Sequence, residues 1–171
     1  MKPLMLVAMG ITASTPIAAD DTNEETTPFT ADTFEMQPEE LVEELSLVQE
    51  HTMDILMTDD YAFPRWELEN FYTPELSATL HHQWNEDAYI QPFRWEDYTI
   101  VDQLVHNDVE EVTVTTPHWV DGEQVATVDI TTSSIEDGAG NRAYFDETYE
   151  FIYDQTTGNF LITGIVIEQT W

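Results

Sequence analysis

Five histidines and 35 acidic residues carry most of the reactive side chains of this 171-residue chain, and cysteine is absent. His81 and His82 are adjacent in a stretch with helical spacing, with Asp87 beyond. Neighbours on a helix point about 100° apart, so the two cannot converge on one metal as an i, i+4 pair would. His118 is the one weak catalytic candidate. Strand alternation sets it on a face with Val112, Val114 and Val120. From the apolar side of a sheet it would enter a pocket and serve as acid or base near neutral pH, alongside an Asp or Tyr. A hydrogen-bonded core or rim histidine has the same appearance in sequence. Trp119 would then face the other way.

The turn Glu136-Asp137-Gly138-Ala139-Gly140-Asn141 offers oxygens to calcium, but it lacks the alternating ligands and terminal bidentate Glu of a dedicated loop. No metal site is expected. Five tryptophans and seven tyrosines suit a core, stacking on a sugar, or a partner's surface. Trp84, Trp95, His118 and Trp119 are the candidate ligand-binding residues, with Trp95 and Trp119 expected to be exposed. Arg65 and Arg94 are expected in ordinary ion pairs. No phosphate loop, nucleophile elbow or dinucleotide fingerprint occurs, so no cofactor is expected.

Only four residues are Lys or Arg, which leaves a formal charge of −31. Such a surface repels nucleic-acid phosphates and anionic lipid, excluding both as partners. It also repels itself unless salt screens it. The near absence of lysine points to a saline environment, or to an alkaline one in which lysine would lose its charge; an ordinary acidic secreted protein is the simpler alternative.

These groups have to be positioned by a small set of elements. Residues 1–19 have the pattern of a signal peptide: Lys2, the apolar run Leu4 to Ile11, then Pro16-Ile17-Ala18-Ala19 before Asp20. The run is too short to span a bilayer, so no membrane insertion is expected after cleavage, and the location is secreted or extracytoplasmic. Residues 20–37, acidic and Thr-rich, read as a solvated, disordered tether. One domain follows over 38–171. Its first helix starts at Pro38, with Leu41, Leu45, Val48, Thr52 and Ile55/Leu56 as one stripe. Thr73-Pro74-Glu75-Leu76 starts another helix, whose Leu76, Leu80 and Trp84 face inward. Strands are expected over Tyr98–Val105, 110–120, 123–134, 142–153 and 160–170. Asp121-Gly122, the Asp137–Asn141 turn and Asp154–Asn159 should join the last four as antiparallel hairpins. On 142–153, Ala143, Phe145, Tyr149, Phe151 and Tyr153 share a face.

Helices followed by bent antiparallel strands, together with Asn70-Phe71-Tyr72-Thr73-Pro74-Glu75-Leu76, resemble the NTF2-like superfamily, whose members open a helix with a similar aromatic-Thr-Pro-Glu-Leu step. The resemblance covers residues 38–171. It implies an α+β cone, with N-terminal helices packed in the concave face of a curved sheet and a pocket at the open end. It implies no activity, because the fold serves enzymes and accessory domains alike.

Three readings of function follow. The first is an exported, non-enzymatic domain that binds a small ligand or a protein partner through the cone mouth or a sheet face. The second is a small pocket isomerase or lyase using His118. The third is a homodimer formed through the apolar last strand and the convex sheet face.

Overall fold

The computed structural model describes residues 26–57, 65–80, 104, 107–134 and 138–170, with backbone only for 57, 65 and 66. Its elements are the short 3-10 helix η1 (Ala31–Glu35), α1 (Pro38–Met57), η2 (Arg65–Asn70), helical residues 74–80, and strands β1 (Asp108–Val120), β2 (Glu123–Ser133), β3 (Tyr144–Asp154) and β4 (Asn159–Thr170). The strands form an open antiparallel sheet in the order β1-β2-β3-β4. The class is α+β.

The chain's turn chemistry explains the sheet. Asp121 and Gly122 both take positive φ, 50° and 87°, the two-residue turn whose twist matches its strands. Gly158 (φ 76°) closes the last hairpin, where Asp154 accepts from the Thr157 N–H and hydroxyl. The Thr157 bonds hold the Asp154 carboxyl below its usual range.

Helix starts follow the same local logic. The Glu40 carboxylate accepts from the Gln37 N–H at the head of α1, and Thr73 Oγ1 accepts from the Leu76 N–H. The α1 stripe of Leu41, Leu45, Val48, Thr52, Ile55 and Leu56 is buried. It packs on one side of the sheet, against Ala126, Val128, Ile130, Tyr149, Phe151, Phe160 and Ile162. That side is the core face.

Three expectations change. The stretch 20–37 has the composition of a solvated tether, yet its described part is built into the domain. Phe29 and Phe34 are 1% and 3% exposed, and both rings meet Phe151 edge-on at 5.2 and 5.0 Å. Two aromatics in an acidic stretch bury enough surface to order it. The strand expected over Tyr98–Val105 lies outside the described residues except for Leu104, which is helical and buried.

The third change is in β1. Its register against β2 slips between Val109 and Glu111 and again between Thr115 and His118. One extra residue reverses which face the following side chains take. Val112 and Val114 oppose Ile130 and Val128 on the core face, whereas His118 opposes Val125 on the outer face.

Candidate functional site

The bulge decides what becomes of His118. It is exposed, and its Nδ1 lies 3.0 Å from the Thr116 carbonyl oxygen. It shares the outer face with Val125 and Thr127, away from Val112 and Val114. Trp119, paired with Gln124, takes the core-face side instead. It lies at the end of the sheet and is 68% exposed, matching the expected exposure but on the opposite side. Trp84, Trp95, His81, His82, Asp87 and Arg94 lie outside the described residues, as do the side chain of Arg65 and residues 136 and 137 of the acidic turn.

The chemistry inside the domain belongs to residues outside the candidate set. Glu147 is 1% exposed on the core face, opposite Ile130 and Ile167. Its Oε2 accepts from the Tyr149 hydroxyl at 2.7 Å and its Oε1 from Thr132 Oγ1 at 3.0 Å. Tyr149 in turn accepts from Gln49 Nε2 of α1 at 2.6 Å. The Gln49 Oε1 accepts from the Leu104 N–H at 3.1 Å. One polar chain thus ties helix, residue 104 and two strands together through the core.

A second, shorter chain lies in the same layer. Thr52 Oγ1 donates to the Val48 carbonyl at 2.6 Å, which leaves Tyr72 to donate to Thr52 at 2.9 Å.

Burial sets the electrostatics of these groups. Loss of water raises the Glu147 carboxyl, and the bonds from Tyr149 and Thr132 pull it partly back. Tyr149 is held well above its usual value by burial first and by the neighbouring Glu147 charge second. Tyr72 is pushed up to about 12 by burial. A carboxylic acid bonded to a phenol, both away from water, is an arrangement in which a proton can be held or handed on. Yet no buried side-chain polar atom among the described residues lacks a partner. The chain is closed on itself.

Glu147 had a visible sign in the sequence: it is the acid in register with Phe145, Tyr149 and Phe151. What the alternation does not reveal is Gln49, 100 residues away from Tyr149.

The outer face is a lattice of Thr and acidic side chains. Thr131 donates to Asp146 at 2.9 Å, and Thr148 donates to Asp129 at 2.7 Å, on adjacent rungs of β2 and β3. Arg142 pairs with Asp108 at 3.0 Å. An open groove of about 340 Å³ is lined by Thr26, Pro28, His51, Glu67, Asn70 and Phe71, none of them a candidate residue. No group of three or more His, Asp or Glu suited to hold a metal occurs among the described residues. No described helix is long and apolar enough to cross a membrane.

No protein-family model, curated protein or solved structure matches the chain.

Proposed function

We propose that the chain is an exported, non-catalytic accessory domain of the NTF2-like kind. Its N-terminal helices would sit in the concave face of a curved sheet, and it would bind a protein partner or a small ligand through the cone mouth or a sheet face. The observation that carries this reading is the closed interior. Gln49, Tyr149, Glu147 and Thr132 satisfy one another between α1 and the sheet, so their bonding capacity is spent on the fold. Among the described residues, what remains for recognition is the open groove beside His51, the outer face and the strand edges. The leader-like residues 1–19 and the charge of −31 support export into a saline or alkaline surrounding. The same charge weighs against a homodimer through the outer face, because Asp129, Asp146 and Glu150 would meet their own kind there.

A pocket isomerase or lyase is the second reading. With His118 on the outer face, its acid–base pair would be Glu147 and Tyr149.

The test immobilises the chain in molar salt and exposes it to the extracellular fraction of its source cells. Retention of a partner, competed by free chain, is the expected result. Turnover of a carbonyl-compound library, abolished by Glu147→Gln, would refute the non-catalytic reading.

A further inference from the structure

The two edges of the sheet are protected very differently. β1 carries two register slips, with Pro117 at the second, and such irregularities spoil an edge as a template for pairing. Among the described residues, β4 is covered only in its first half. Phe29 bridges Phe160 and Tyr72 bridges Ile162, with Phe160 N–H donating to Phe29 at 2.8 Å and Ile162 N–H to Phe71 at 2.7 Å. The described cover stops at Thr163, where β4 slips against β3. From Gly164 to Thr170 the strand pairs with β3 on one side, and no described residue pairs with it on the other. This half has no proline, lysine or arginine, the devices that usually blunt an edge.

Phe160 and Ile162 turn their backbone groups outward. Continuing the antiparallel alternation past the slip, Ile165, Ile167 and Gln169 do the same. Seven residues from Gly164 to Thr170 make an edge of roughly 23 Å at about 3.3 Å per residue.

The two sides of that edge differ in chemistry. On the outer face lie Glu168, beside Asp146, and Glu150, opposite Gly164, with the exposed Val166 between them. The Glu150 carboxylate reaches across the glycine, 2.5 Å from where a Cβ would stand. On the core side Ile165 and Ile167 are half-buried.

We propose that Gly164–Thr170 is a strand-addition site for an extended partner segment of about seven residues in which basic and apolar side chains alternate. Its basic residues meet Glu150, Asp146 and Glu168, and its apolar residues extend the layer of Ile165 and Ile167. A second copy of the chain fits the edge poorly, because it brings the same acids and a charge of −31. The inference rests on the binding reading above and names the surface and the partner's chemistry.

The test is fluorescence anisotropy with the purified chain and the labelled, end-capped peptide Lys-Val-Lys-Val-Lys-Val-Lys. The control peptide has the same composition with its lysines in one block. The alternating peptide should bind at least about tenfold more tightly than the block peptide. The double substitution Glu150→Lys and Glu168→Lys should weaken it by about tenfold or more, as should Ile167→Pro, which deletes an outward N–H. Glu111→Lys on β1 should leave it unchanged. The two lysine substitutions are at exposed positions, and circular dichroism checks that each variant is folded. Equal binding of the two peptides would mean net charge alone is read, and an unaffected double variant would mean the peptide binds elsewhere; either overturns the proposal. No binding of either peptide overturns it too; retention of a native partner by the immobilised chain would then show that binding uses another surface.

Discussion

Removing one oxygen atom from the core tests the buried polar chain. In Tyr149→Phe the ring stays, so packing at the 1%-exposed site is kept. The hydroxyl that joins Gln49 at 2.6 Å to Glu147 at 2.7 Å is lost. Gln49 Nε2 and Glu147 Oε2 are then left short of a partner. Stranding a buried polar group costs about 1–3 kcal/mol, more if it is charged. Two such groups give roughly 2–6 kcal/mol, against a typical domain stability of about 5–15 kcal/mol. The cost should also depend on pH. Burial raises the Glu147 carboxyl in the folded state, and the Tyr149 bond opposes that rise. A raised folded-state value means stability is fully present below the unfolded carboxyl's ordinary range and is lost as pH rises through the folded value. Deleting the hydroxyl raises Glu147 further and enlarges that loss. Urea unfolding followed by tryptophan fluorescence, in molar salt at pH 5 and pH 8, should show the larger penalty at pH 8. A penalty below about 0.5 kcal/mol, or the same penalty at both pH values, would refute the closed-network account.

Phe151 receives the rings of both Phe29 and Phe34, so Phe151→Ala should cost about 3–5 kcal/mol and release residues 26–35 to proteolysis. A cleavage pattern identical to the parent's would show that the N-terminal segment is held by something else. With a net charge of −31, Tm should climb between 0.1 M and 1 M salt as the screening length falls from about 10 to about 3 Å. Each kcal/mol recovered is worth about 2–4 °C in a chain of this size. A flat response would undo the saline-adaptation reading and leave the fold unaffected.

Local rules were legible and long-range ones were not. Asp121-Gly122 and Gly158 identified their hairpins because positive φ is a property of the residues themselves. The helix starts at Pro38 and Thr73 and the stripe from Leu41 to Leu56 are equally local. His118 was misplaced because two-residue alternation assumes an unbroken register, and Pro117 was the sole hint of the slip. Phe29 and Phe34 were passed over because the surrounding acids and threonines dominate the composition, whereas the partner ring, Phe151, is far along the chain. The role of Glu147 was hidden for a related reason, although its register with Phe145, Tyr149 and Phe151 was visible. An acid among aromatics on a strand reads as an irregularity until Tyr149, Thr132 and Gln49 are known to surround it.

The contacts that join Phe29 to Phe160, Tyr72 to Ile162 and Gln49 to Tyr149 also set an order of events. The sheet grows by three successive hairpins, each a short loop closure, while its helical cover and the Phe29 bridge wait for β3 and β4 to be in place. Contacts so far apart along the chain slow folding because their closure entropy comes before their reward. Without β4, Phe29 lacks its backbone partner Phe160 and β3 lacks its second flank, although the Phe29 ring still meets Phe151. The backbone seal over the sheet edge therefore waits for β4. Were the chain exported in extended form, as proposed above, that delay would be an advantage, because the Phe29–Phe160 bridge could close only after β4 had followed.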